Sequence, residues 1–203
     1  MKKELIFLIC AVSVLIGGMP AFTLDETVMV SSYAGSVDIV LPGSESPAEK
    51  SPGMILAKAT NITTGEEAHI DIAFGRAKTN MARIGENSYV VLGPGRGEGL
   101  ELTSGEVKVV LKDIKKGETF LVRTPSAVCG ARGTGWQVKA SGDTTAIAVF
   151  EGRVFVRGVN GDGSVREEEF WIDEGYRRKT ERLQHPGEMT GLTQSEREEI
   201  EWN

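Results

Sequence analysis

Two histidines, one internal cysteine and many carboxylates are the residues of this sequence that could do chemistry. His69 and Asp71 stand two positions apart, so in a strand both side chains share one face and a hydrogen bond between them is feasible. A catalytic dyad would also need a nucleophile, and no G-x-S-x-G elbow, H-E-x-x-H or C-x-x-C motif is present. The expectation is a satisfied surface pair. His185 is too far from His69 in sequence to give metal-ligand spacing. Gly93 to Gly99 (GPGRGEG) lacks the lysine and the following helix of a phosphate loop. Asn160-Gly161-Asp162-Gly163-Ser164 echoes a calcium loop but lacks its terminal glutamate and most of its oxygen ligands. No two carboxylates stand out from a solvated background. The chain therefore reads as a non-enzyme, with no catalytic residue, metal site or cofactor expected.

Charge and composition narrow the partners. A net charge of −6 argues against nucleic acid, because phosphate binding needs a basic face. Aromatic residues make up 6%, too few for a stacking surface for bases or long sugars. Hydrophobic content of 40% and charged content of 26% suit a globular chain with a real core. The length of 203 residues allows one generous domain or two small ones.

The elements that would position these residues begin after a targeting segment. Lys2 and Lys3 precede an apolar run from Leu5 to Met19, which is short for a membrane span and is broken by Pro20-Ala21. Cleavage after Thr23 sets the small Ala21 three residues back, whereas cleavage after Ala21 would set Met19 there. The alternative is an uncleaved anchor, and only then would the chain contact a membrane. Ile9 is not small, and a cut at Cys10 would halve the apolar run, so a lipoprotein reading is rejected. Only Met1 to Glu4 precedes that run. Residues 1–23 are thus expected to be a signal peptide, 24–180 a β domain and 181–203 a tail with a short helix. After cleavage Cys129 would be the one cysteine, which rules out an intrachain disulfide. Between Val128 and Gly130 it reads as a small buried apolar residue.

Strand patterns fill the middle. His69 to Phe74, Arg76 to Ile84, Ser88 to Leu92 and Phe120 to Arg123 alternate or run apolar, and Ala146 to Phe150 is apolar throughout. A glycine, a polar residue and a valine-rich strand recur at Gly35, Gly105 and Gly152, at unequal intervals. Pro42 to Gly53 reads as a mobile loop. Val165 to Thr180 reads as two strands broken at Glu174-Gly175. Thr193-x-x-Glu196 is a capping box that opens a helix ending near Trp202. The expected class is all-β, solenoid-like or a two-sheet stack of about a dozen short strands, with a short C-terminal helix.

The densest stretch carries a resemblance. Thr124-Pro125, a short apolar strand, Arg132-Gly133-Thr134 and an apolar strand ending in Glu151-Gly152-x-Val154 resemble the FecR domain family, more loosely over Val28 to Thr180. That family occurs outside the cytoplasm. Its founding members are membrane-spanning regulators that pass a signal from an outer-membrane receptor to a sigma factor; many others are exported proteins. The resemblance implies a solenoid-like all-β fold and a non-enzymatic role in the periplasm or outside the cell. Thr124, Pro125, Arg132, Gly133, Thr134 and Gly152 would be its structural motif. Two functions follow. One is a binding or structural module whose partner is an envelope or extracellular protein or polymer. The other is an envelope signal-transduction component whose cytoplasmic part another protein supplies.

Two residue-level expectations follow. Arg132, in a glycine-bounded turn, should clamp buried turn carbonyls with its five donors. A hairpin centred on Asp162 should set Arg153 opposite Trp171, Phe155 opposite Glu169 and Arg157 opposite Glu167. Its outward face (Arg153, Phe155, Arg157, Trp171) would form a candidate contact face, with a cover by the C-terminal tail slightly favoured over exposure.

Overall fold

Glycine corners decide how this chain turns. The computed structural model describes residues 27–75, 79–93, 99–113, 119–182, 184 and 186–200. Its strands, numbered in chain order, form two facing sheets that share one strand. The front sheet runs β3 (Ile55–Leu56), β1 (Val28–Ala34), β5 (His69–Phe74), β6 (Asn80–Ile84), the second half of β8 (Leu100–Leu111), β11 (Gly135–Ser141), β12 (Thr144–Glu151), β15 (Tyr176–Glu181) and β16 (Met189–Gly191). The back sheet runs β2 (Val37–Val40), β4 (Asn61–Thr64), β7 (Tyr89–Leu92), the first half of β8, β9 (Phe120–Arg123), β10 (Ala127–Ala131), β13 (Arg153–Gly158) and β14 (Phe170–Asp173). All pairings are antiparallel except β8 with β9. The fold is all-β, a two-sheet stack, with one short helix among the described residues, α1 (Gln194–Ile200).

The three recurring glycine–valine units are the places where the chain crosses between sheets. Gly35 joins β1 to β2, Gly105 bends β8 from the back sheet into the front one, and Gly152 joins β12 to β13. Their φ values are +73, +94 and +77, a region in which side-chain-bearing residues are strained. At Gly105 there is also no room: a Cβ would lie 2.5 Å from Ser88 Cα. The Ser88 hydroxyl uses that space to accept the Glu106 amide at 2.9 Å.

Between the sheets, alternate residues form one apolar core. Phe74 of the front sheet meets Phe120 of the back sheet edge-on at 4.9 Å, and Trp136 lies 6.2 Å beyond it. All of these side chains are buried, as alternation predicts for strands with one inward face.

Several sequence expectations need adjustment. The strand expected from Arg76 starts at Asn80, and residues 76–78 lie outside the described part. The loop expected to be mobile folds back on the strands, with Ala48 N–H donating to Ile39 O at 2.8 Å and Gly53 N–H to Val30 O at 2.8 Å. The capping box forms: Glu196 accepts both the Thr193 amide at 2.9 Å and its hydroxyl at 2.8 Å. The targeting segment, His185 and Trp202 fall outside the described residues.

Candidate binding face

The family motif divides into a buried half and an exposed half. Thr124 and Pro125 lie in the tight link between β9 and β10. Thr124 Oγ1 accepts the Ala127 amide at 3.0 Å and contacts Thr145 Oγ1 of the front sheet at 2.6 Å. Thr145 Oγ1 also meets Ser126 Oγ at 2.6 Å, and Ser126 Oγ donates to Thr180 O at 3.4 Å. These four residues are at most 3% exposed. The hydroxyls of Thr124, Thr145 and Ser126 and the Thr180 carbonyl form a chain that ties a back-sheet turn to two front-sheet strands, and each of these polar groups would be costly to bury alone.

Arg132-Gly133-Thr134, which joins β10 to β11, behaves differently. Gly133 has φ +68 and open space around it. Thr134 is buried, and its hydroxyl donates to Arg153 O at 3.3 Å. Gly152 lies against this corner, where a Cβ would be 3.4 Å from Gly133 O, and its amide donates to Glu174 at 3.1 Å. Arg132 is exposed, and among the described residues it donates only from Nε to the Thr119 hydroxyl, at 2.9 Å. The clamp expected of Arg132 is therefore absent. At this corner Thr134 O accepts the Leu111 amide at 3.0 Å, and among the described residues the exposed guanidinium reaches no backbone carbonyl.

The outward face of β13 and β14 carries the four residues predicted for contact, but in a shifted register. Val159 bridges Val165, which is the pairing expected of a hairpin centred on Asp162. Beyond Arg166 the chain gains two residues. Arg153 pairs with Asp173 and Phe155 with Trp171, where Trp171 and Glu169 were expected. The acidic run Glu167-Glu168-Glu169 lies between the two registers. A slip of two leaves each side chain on its original face, so the inward Val154 still faces a core partner, Ile172 instead of Phe170. The sequence reading missed Asp173 and Glu169 as the partners of the two arginines. Arg153 donates to Asp173 at 2.5 Å and sits 5.7 Å from the Trp171 ring centre. Arg157 donates to Glu169 at 2.7 Å and lies 5.6 Å from the Phe155 ring centre. Phe155 and Trp171 meet edge-on at 6.0 Å, and Phe155 spreads over the bare backbone of Gly130. Trp171 remains 47% exposed.

The described residues of the tail do not cover this face. Helix α1 is anchored on the outside of the opposite, front sheet. Arg177 pairs with Glu196, Lys139 reaches Glu199 at 3.2 Å, and Lys108 donates to the Glu199 carbonyl at 2.6 Å. Those cations stand on β15, β11 and β8, so acidic helix residues meet a basic row on the front sheet. The same charges have no counterpart beside Trp171, where each arginine already holds a carboxylate.

The remaining candidates for chemistry are structural. Asp71 is engaged by Arg83 through two hydrogen bonds of 2.7 and 2.9 Å and by Ser32 at 2.8 Å, with no hydrogen bond from His69. The Arg83 guanidinium is held charged by that carboxylate, above its ordinary range. Cys129 is buried, and burial pushes its thiol up to about 12, leaving it inert as a nucleophile. Among the described residues no group of three His, Cys, Asp or Glu side chains could hold a metal ion.

The fold and this face define an all-β, two-sheet domain with an arginine–aromatic surface at one end. Residues 60–155 match the family described as FecR protein. No curated protein matches the chain. Two crystal structures of a candidate anti-sigma factor from Parabacteroides distasonis ATCC 8503, at 1.65 and 2.50 Å resolution, are similar in fold. Each is 15% identical, with a TM-score of 0.51 over 65% of this chain. The chain spans 59% of the length of those structures.

Proposed function

We propose that this chain is an exported FecR-type module that binds a protein of the cell envelope without catalysing a reaction, using the outward face of β13 and β14. The observation that carries this reading is the ladder Arg153–Trp171–Phe155–Arg157. Its aromatic rings are held by stacked guanidiniums, and the chain's own tail is anchored on the opposite sheet. Tryptophan and arginine held rigidly in this way lose little freedom on docking, and both are enriched among residues that dominate interfaces. A role in envelope signal transduction is the second reading, favoured by the FecR match and by the fold likeness to a candidate anti-sigma factor.

The test is cross-linked capture from native envelopes by the parent and by a Trp171→Ala, Arg153→Ala double variant. The expected outcome is a specific partner held by the parent and lost by a variant that melts within a few degrees of it. Equal capture by both proteins would overturn the face.

A further inference from the structure

The end of the domain that carries Trp171 is left open. At the other end, Ala48 N–H bonds Ile39 on edge strand β2, while Val30 of β1 exchanges bonds with Gly53 and Met54. Backbone edges covered in this way resist pairing with another chain. At the Trp171 end, β14 is the last strand of the back sheet, and among the described residues its backbone pairs with β13 alone.

The front sheet extends further. The corner at Gly175 sets β15 across from β14, and Arg178 of β15 stacks on Phe170 of β14 at 5.0 Å. Strand β16 then continues the front sheet, and among the described residues no back-sheet strand faces it. The inward residues of this overhang are Tyr176, Arg178 and Met189, as the pairing of Arg178 with Ile147 and Met189 fixes. Tyr176 is 41% exposed and Met189 39%, unlike inward residues elsewhere in the sheet. Arg178 faces this space with its Nε shielded from water and without a hydrogen-bond partner, and no carboxylate pairs with it among the described residues. Burial accordingly lowers its pKa, with no acid raising it.

We propose that an extended segment of a partner protein adds to β14 as the next strand of the back sheet, beneath β16, with apolar side chains against Tyr176 and Met189 and a carboxylate against Arg178. Strand addition would satisfy the open edge, and alternate side chains would fill the overhang. A second copy of this chain fits poorly. Antiparallel self-pairing centred between Trp171 and Ile172 would set Glu169 of one copy opposite Glu174 of the other, and like charges facing across strands destabilise a sheet.

This inference rests on the reading of the domain as a binding module, but its test is separate. The probe is a heptapeptide with threonine at odd positions and Val, Glu, Val at even ones, compared with a Val, Lys, Val counterpart. With the full chain, the glutamate peptide should slow amide exchange at Phe170–Asp173 and bind about tenfold more tightly than the lysine peptide, as a charge-assisted pair implies. Arg178→Gln should erase that preference, and Arg178→Lys should keep part of it. Strand addition is overturned if the glutamate peptide leaves the β14 amides unprotected, if Arg178→Gln keeps the preference, or if the chain alone protects β14 by self-association. A peptide that contacts Trp171 but leaves β14 amides unprotected would sink strand addition while leaving the outward-face reading intact.

Discussion

Thr124 and Arg132 belong to one motif and lie a few residues apart, yet the structure uses them in opposite ways. Thr124 is buried, joined through Thr145 and Ser126 to strands of the other sheet. Arg132 stands at an exposed corner with one hydroxyl partner. The longer, more recognisable side chain holds less of the fold. A buried hydroxyl has no water to fall back on, so each partner it loses is felt in full. An exposed guanidinium exchanges one hydrogen bond for another with solvent.

The sharpest way to break this contrast is at Thr145, the hydroxyl shared by Thr124 and Ser126. Thr145→Val keeps the shape and removes both contacts, at about 1–3 kcal/mol for each buried group left unsatisfied. The expected result is a clear fall in denaturation midpoint; a Tm within a degree of the parent would show that water or rearrangement replaces the chain. Gly130→Ala comes next. Its Cβ would meet Leu121 and would lie 2.8 Å from Phe155 Cζ, so the aromatic must tilt off the strand. Overpacking of this kind costs about 1–3 kcal/mol at most sites, less where a side chain can swing away. The change should also weaken partner capture by moving Phe155, and calorimetry with the capture assay would separate the two effects. Arg132→Ala should be the mildest, within about 0.5 kcal/mol of the parent, as is usual for exposed positions. Urea unfolding checks it, and a loss above about 2 kcal/mol would erase the distinction between the two halves of the motif.

Much of the fold was legible because its signals are local. Alternation in Phe120–Arg123, the apolar run of Ala146–Phe150 and the capping box at Thr193 each form the expected element, although the apolar run, which suits a strand covered on both faces, leaves Ala146, Ala148 and Phe150 half-buried. The recurring glycine–valine units were also visible, although their purpose, crossing between sheets, emerged only in three dimensions. The hairpin register after Arg166 was not legible. Face alternation has a period of two, so a slip of two satisfies the same pattern, and three consecutive glutamates offer no buried contact to choose between the registers. The open-end arginine had a weak signal: Tyr176, Arg178 and Thr180 alternate with Arg177 and Lys179, so one charged residue had to point inward.

By itself, the sequence determined that this chain is all-β, where its principal strands run, and that glycine–valine units recur along it. Those features follow from periodicity and backbone sterics, which act over a few residues. Only the tertiary structure decided that Thr124 is buried and Arg132 exposed. It alone placed helix α1 on the front sheet and left β14 at an open edge under an overhang. Depth, facing partners and unpaired edges depend on which distant strands pack together, and residues far apart in the chain set those energies jointly.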